Sequence, residues 1–186
     1  MPFLEIRFKD IIFDPEVQTY CINPSFKCPS YGHSWACPPE APYLEEIISK
    51  FTKFYLIYYK INLLEYIKNE QRKHPELDED YIKNKLYKSY LLRDELEKEI
   101  LKFLQQYKEN CKEKLILWDG FCRICFNEND KGCTYDSGDP CRYPHKKRYS
   151  MEAIGIHVTK TVRNLNLDIE WPPTNYNFRF GLVCFK

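Results

Sequence analysis

Four stretches of the chain have the hydrophobic pattern of β-strands. Residues 3–13 begin with alternating apolar and charged side chains, which predicts a strand at the edge of a sheet. Residues 51–63 are rich in Phe, Tyr, Ile and Leu without strict alternation, a pattern typical of a central strand covered on both faces. Shorter apolar runs at 115–118 and 178–185 predict two more strands, and the stretch 171–175 predicts a loop before the last one.

Helix signals lie between these strands. Pro42, followed by two acidic residues, predicts the start of a short helix that ends near Lys50, because proline suits the first turn and acidic side chains favour the positive end of the helix dipole. Ser150 is the expected N-cap of a helix that runs from Met151 to about Asn164.

Residues 64–110 are charged and contain no glycine. They predict two helices separated at His74-Pro75, with Asp78 as the N-cap of the second. The second helix has an apolar stripe at roughly helical spacing, formed by Ile82, Leu86, Tyr90, Leu91, Ile100, Leu101, Leu104 and Tyr107. We expect this charged helical hairpin to pack on the core; a partner-binding helix is the alternative.

These elements predict a mixed α/β or α+β fold with a small central sheet, built from strands near 54–61, 114–118 and 178–185. Helices cover the sheet, and two cysteine-rich loops bind metal. We predict a single metal-binding domain over residues 1–186, into which the hairpin at about 64–110 is inserted.

Charge and composition narrow the class of protein. The chain has 28 basic and 27 acidic residues, a net charge of +1, so it lacks the basic footprint of a nucleic-acid-binding protein. The longest strongly apolar run, Phe54–Tyr59, is too short for a membrane helix, and the first residues do not resemble a secretory signal. We therefore expect a soluble, cytoplasmic protein with neither a nucleic-acid nor a membrane partner.

Nine cysteines are the unusual feature of the composition. An odd number cannot pair completely within one chain, and in a reducing compartment cysteines are more often metal ligands or redox centres than disulfides. They fall into a first group of Cys21, Cys28 and Cys37 and a second group of Cys122, Cys125, Cys133 and Cys141, with Cys111 and Cys184 apart. Cys184 lies in an apolar strand and is expected to be a packing residue.

The second group has the ligand count of a metal centre. Cys122 and Cys125 can bind one centre from a single turn, and glycines near Cys133 and Cys141 allow the following loops to fold back. Four thiolates suit either a 4Fe-4S cluster or tetrahedral zinc, and free thiols are the third alternative. Prolines next to the cysteines resemble ferredoxin loops and favour iron.

The first group offers three thiolates. They could hold a second 4Fe-4S cluster with one iron open to a substrate, or His33 could complete a Cys3His zinc site, or Cys111 could supply a distant fourth thiolate. A proline-fixed loop with buried cysteines is the structural alternative. In both groups a cysteine and a proline precede a predicted helix, so we expect helix N-termini to favour the thiolates.

Other residues near the cysteines are weaker candidates. The basic run Arg142–Arg148 could neutralise the charge of a cluster or hold an anionic partner or substrate, although a solvated loop is the favoured interpretation for any single member. Tyr31, Trp35 and Trp118 could shield a cluster from water, and ordinary core packing explains them equally well. No phosphate-binding glycine motif, HExxH or GxSxG string is present, so the familiar signatures of NTPases and hydrolases are absent.

Four strings carry a family resemblance: Cys37-Pro38-Pro39, Cys122-x2-Cys125, Pro140-Cys141-Arg142-Tyr143-Pro144, and Ser150-Met151-Glu152-Ala153-x-Gly155-Ile156. Together they resemble a family of cysteine-rich predicted metal-binding proteins of unknown function from archaea and anaerobic bacteria. The family pattern has a third cysteine where this chain has Glu128, and an insertion before Cys133 would account for the difference. The resemblance implies metal binding and no particular reaction.

We therefore expect an iron-sulfur protein with one or two 4Fe-4S clusters, acting in electron transfer or as an accessory of a redox or cofactor-handling protein partner. A structural zinc protein that mediates protein interactions is one alternative. An enzyme that uses an open iron for sulfur transfer is another.

Overall fold

The computed structural model describes residues 2–24, 26–107, 111–129, 131–170 and 172–186. The strands along the chain are β1 (Phe3–Ile6), β2 (Ile22–Asn23), β3 (Phe26–Lys27), β4 (Lys53–Asn62), β5 (Lys114–Leu117) and β6 (Tyr176–Phe185). The helices are α1 (Glu45–Ile48), α2 (Leu63–Lys73), α3 (Glu79–Lys88), α4 (Leu91–Gln106), α5 (Ile124–Asn129) and α6 (Val158–Asn164). The prediction of a mixed α and β fold is confirmed.

Four strands form an antiparallel sheet in the order β1-β4-β6-β5. β4 pairs with β6 over its whole length, from Lys53 opposite Phe185 to Asn62 opposite Tyr176. The predicted central strand is therefore confirmed, and β1 lies at an edge as its alternating pattern indicated.

Both faces of β4 are buried over its first half, residues 54–57, as the apolar run there predicts. Tyr55 and Ile57 pack with the buried face of α4 on one side of the sheet. Phe54 and Leu56 pack on the other side with α1, α6 and the 151–156 turn. This second layer holds the chain before the first cysteine group, because the backbone N–H of Ile12 donates to the hydroxyl of Thr161 in α6.

The charged segment forms three helices where the hydrophobic pattern predicts two. The predicted second helix is interrupted at Ser89, whose backbone is extended and whose hydroxyl donates to the carbonyl of Leu86. A polar side chain that bonds to nearby backbone competes with helix continuation, which explains the break. Asp78 caps α3 as predicted, accepting from the backbone N–H of Tyr81 at 2.7 Å. Residues 108–110, at the end of the predicted hairpin, lie outside the described residues.

The predicted helix after Ser150 is also interrupted. The Ser150 hydroxyl accepts from the backbone N–H of Ala153 as expected, but the result is a short 3-10 helix, Glu152–Ile154. Gly155 then takes a left-handed conformation, with φ of 95°, and α6 begins only at Val158. The α1 prediction is similarly shortened at both ends, and Trp171 of the predicted 171–175 loop lies outside the described residues.

No described helix has the length and apolar character needed to cross a membrane.

Candidate metal centre

A short hairpin brings the first two cysteines of the first group together. β2 and β3 pair antiparallel between them, and the backbone N–H of Cys28 donates to the carbonyl of Cys21 at 2.7 Å. The two cysteines are therefore directly opposite each other at the base of the hairpin. The x6 spacing that the sequence shows is the length of this hairpin.

The third cysteine of the first group sits in a tight turn. The backbone N–H of Cys37 donates to the carbonyl of Ser34, and its own carbonyl accepts from the N–H groups of Glu40 and Ala41. Gln18, just before the hairpin, donates to the carbonyl of Ala41 at 2.9 Å and so ties the two ends of the loop together. Cys37 is buried, at 8% exposure.

Burial and neighbouring thiols raise the pKa of two cysteines of the first group, Cys21 and Cys37. Burial raises the pKa of Cys21 to about 11, and the neighbouring Cys28 adds to the increase. Burial likewise raises the pKa of Cys37 to about 11, against a hydrogen bond with Ser34 and with further contributions from Cys28 and Cys21. The prediction that a helix N-terminus favours these thiolates is wrong for Cys21 and Cys37, because α1 begins only at Glu45 and burial dominates.

The second group surrounds one space. Cys122, Cys125, Cys133 and Cys141 all line a single cavity of about 20 Å³. α5, a helix that the hydrophobic pattern does not predict, begins at Ile124 between the first two of these cysteines. The loop from Cys133 folds back through a 3-10 turn that ends at Gly138, where φ is 74°, and the Thr134 hydroxyl donates to the Pro140 carbonyl at 2.9 Å.

The two cysteine loops pack directly against each other. Nδ1 of His33 lies 2.8 Å from Oδ1 of Asp136, and the indole N–H of Trp35 donates to the Asp139 carbonyl at 3.1 Å. The rings of Trp35 and Tyr135 meet edge to face, 5.0 Å between centroids. The two groups are consequently adjacent, and Cys122 of the second is among the thiols that raise the pKa of Cys37 in the first.

Two cavities border the second group, and their volumes limit the size of the metal centre that it can hold. Cys122, Cys125 and Cys133 also border a larger cavity of about 200 Å³ on the side of His33 and Phe126. No three His, Cys, Asp or Glu side chains among the described residues are arranged to hold one metal ion. The thiols thus converge on a common region, but they are spread around a space rather than gathered at a point.

The other cysteines and tryptophans considered in the sequence occupy different parts of the fold. Cys184 is fully buried in the core, where burial raises its pKa to about 12, which confirms its packing role. Cys111 packs beside the aromatic cluster on the face of the sheet that α4 covers. It lies apart from the two cysteine loops. Trp35 lines the four-cysteine cavity, whereas Trp118 packs on that same aromatic cluster.

Most of the basic run is engaged by the protein itself. Arg142 donates to the Gly132 carbonyl at 2.8 Å, Lys146 pairs with Glu128, and Arg148 pairs with Glu97. Lys147 lines the four-cysteine cavity. Ser34, which borders both cavities and bonds with Cys37, was not a candidate on sequence grounds; its position three residues before a cysteine is the only signal it carries.

A family model described as "Predicted metal-binding protein (DUF2284)" matches residues 4–185. The match confirms the resemblance and the general expectation of metal binding. No curated protein and no solved structure matches the chain.

Proposed function

Because the chain belongs to the DUF2284 family of predicted metal-binding proteins, we propose that its two cysteine groups bind 4Fe-4S clusters and that it transfers electrons to a redox or cofactor-handling protein partner. The observation that carries the proposal is the convergence of four thiols on one cavity beside a second group of three. The nine cysteines are all free, which supports a reducing, cytoplasmic location.

The donor set and the space support a cluster. All four side chains of the second group offer sulfur, which suits iron-sulfur clusters and zinc alike. A cluster spreads its ligands over several atoms, whereas zinc needs each sulfur about 2.3 Å from one point. Among the described residues, no three thiols are arranged to bind a single metal ion. Three of the four cysteines border a cavity of about 200 Å³. Cys122, Cys125, Cys133 and Cys141 would hold this centre, which would supply one-electron redox chemistry.

The first group supports a second centre with an open position. Cys21 and Cys28 lie opposite each other at the base of the hairpin, both thiols raise the pKa of Cys37, and the loop sequence contains no fourth cysteine. His33, the sequence candidate for the fourth ligand, instead has Nδ1 bonded to Asp136. Adjacent centres suit an electron relay, and an open iron would suit sulfur transfer.

A structural zinc site is the second candidate for the four-cysteine group. The cavity between the four thiols is only about 20 Å³, close to the room that one water-sized atom needs. A single ion would fit there after a small contraction of the loop, and it would fix the Cys133–Cys141 loop against Trp35.

Anaerobic purification followed by quantification of iron, sulfide and zinc tests the proposal. Two clusters predict about eight iron and eight sulfide per chain, since each 4Fe-4S centre contains about four of each. Cys125→Ser should remove one centre and Cys28→Ser the other, each lowering iron by about half. Cys111→Ser and Cys184→Ser are matched controls outside the two groups and should keep the full content.

Three results would contradict parts of the proposal. A colourless protein with about one zinc per chain would assign the second group to zinc. Unchanged iron in Cys28→Ser and Cys37→Ser would leave a one-centre protein. Iron that does not change its spectrum on reduction and reoxidation would exclude electron transfer as the role.

A further inference from the structure

A cavity whose lining contains no cysteine lies along the first half of β6. It has a volume of about 240 Å³. β5 pairs with β6 from Leu182 to Phe185, so among the described strands none lies beside the 176–181 half of β6 on that side. Val158 at the start of α6 and Ile169 and Pro173 of the following segment close the space.

One wall of this cavity is apolar. Val158, Ile169, Phe178 and Phe180 line it, and three of these also pack on the core cluster, namely Val158, Ile169 and Phe180. The cavity is smaller than the roughly 300–1,000 Å³ of sites for drug-sized ligands, so it suits a small molecule.

The opposite end is polar and incompletely hydrogen-bonded. Asn177 lines the cavity, is only 7% exposed, and its Oδ1 has no hydrogen-bond partner in the described structure. Oδ2 of Asp119 and Nε of Arg179 are also buried without a hydrogen-bond partner there. The Arg179–Asp119 ion pair is 3.6 Å long, too long for a direct hydrogen bond. Buried polar groups are normally paired, so these atoms indicate a polar occupant.

The charges around the cavity favour a cation. Three carboxylates line it, those of Asp119, Glu152 and Glu170, against one lining cation, Arg179. Oδ2 of Asp119 lies 3.6 Å from both Nη1 of Arg179 and Nε of Arg93, whereas no arginine among the described residues pairs with Glu152. Glu170 is fully engaged, since it accepts hydrogen bonds from Thr174 and Asn175.

Glu152 is the carboxylate best placed to meet such a cation. Glu152 is an exposed residue. Desolvation by the surrounding protein, followed by the nearby Asp119, raises its pKa, whereas hydrogen bonding with Ser150 and the charge of Arg179 act in the opposite direction. A cationic ligand would relieve this repulsion.

We propose that this cavity binds a small organic cation, an amine or amidine on an apolar or aromatic frame. The cationic head lies against Glu152 and Asp119 and donates a hydrogen bond to Oδ1 of Asn177. The frame lies against Val158, Ile169 and Phe178. This inference goes beyond the proposed function and does not depend on which metal the cysteines bind.

Benzylamine is a suitable probe, with benzyl alcohol as the neutral molecule of the same shape and benzoate as the anion. Their binding to the anaerobically purified full chain is measured by calorimetry and by ligand-observed NMR at pH 7. We expect saturable binding of benzylamine, at least tenfold weaker binding of benzyl alcohol, and none of benzoate.

Three variants locate the binding. Glu152→Gln removes one charge without changing shape and should weaken benzylamine binding at least fivefold. Val158→Trp fills the apolar end and should abolish it. Glu76→Gln, an exposed carboxylate elsewhere, should change it less than twofold.

The proposal is overturned if benzylamine does not bind saturably, if benzyl alcohol binds as tightly, or if Glu152→Gln behaves like Glu76→Gln. Retained binding in Val158→Trp overturns it as well. If circular dichroism shows that Val158→Trp is unfolded, the comparison of the three probes and the Glu152→Gln result decide. Iron content measured on the same samples keeps this test separate from that of the metal centres.

Discussion

Replacing Thr161 by valine should weaken the attachment of the chain that leads to the first cysteine group. Thr161 lies in α6 and is fully buried, and its hydroxyl accepts from the backbone N–H of Ile12 at 3.0 Å. Valine has nearly the same shape but no oxygen. The variant therefore leaves the Ile12 N–H without its partner while it keeps the packing of the one methyl group of Thr161.

The expected cost follows from that single unpaired group. A buried donor left without an acceptor costs about 1–3 kcal/mol of unfolding free energy. Ile12 is only half-buried, so water can partly replace the hydroxyl and we expect about 1–2 kcal/mol. For a chain of this length each kcal/mol lowers Tm by about 2–4 °C, which predicts a decrease of about 2–8 °C.

Urea-induced unfolding and thermal unfolding, followed by circular dichroism under anaerobic conditions, measure this loss. Thr161→Ser is the matched control, because it keeps the hydroxyl and removes one buried methyl group, at a cost of about 1 kcal/mol. If the unfolding free energy of Thr161→Val lies within about 0.3 kcal/mol of that of the unaltered protein, the hydrogen bond contributes nothing to stability and the reasoning is refuted.

Three further predictions concern single positions. Gly155→Ala should lower the unfolding free energy measured in urea by at least about 2 kcal/mol, since φ is 95° and a β-carbon would overlap the ring of Tyr43. Gly32→Ala is the control, because φ is 69° but open space surrounds it, and it should lower the unfolding free energy less. Equal losses in the two variants would contradict the steric argument. Cys184→Ser should lower the unfolding free energy by about 1–3 kcal/mol because it buries a more polar group, while iron and zinc content stay unchanged; a loss of metal would show that Cys184 acts beyond packing. Hydrogen bonds from the following loop lower the pKa of Glu170 from 4.5 to about 2, so its contribution to stability should be complete above pH 4.5 and lost as the pH falls through about 2. The difference in unfolding free energy between Glu170→Gln and the unaltered protein should therefore shrink over that range, and a constant difference would show that the carboxylate's charge is not involved.

Local patterns in the chain were sufficient for the elements that depend on near neighbours. The apolar run at 51–63 predicted a strand buried on both faces, and β4 packs one set of side chains on α4 and the other on α1 and α6. Asp78 predicted the start of α3, because a cap bonds to a backbone group only three residues away. The cysteine count and grouping predicted metal binding, since a set of thiols has few other uses in a chain of this kind.

Where local signals compete, the patterns were insufficient. Ser89 interrupts the second predicted helix, and Gly155 interrupts the one after Ser150, although the apolar spacing continues through both positions. α5 was missed because its six residues lie among cysteines and charged side chains, too few to show a helical period.

The relation between the two cysteine groups depends on the tertiary structure alone. His33 meets Asp136 and Trp35 meets Tyr135 across about 100 positions of sequence, as the separation of 103 residues for the first pair shows. No periodicity or spacing records such a contact, because it exists only after the sheet has brought both loops to one side. The cavity along β6 has the same origin. The sequence shows Asn177 as an ordinary strand residue, and only the structure shows that β5 ends before reaching it and that its buried Oδ1 has no hydrogen-bond partner among the described residues.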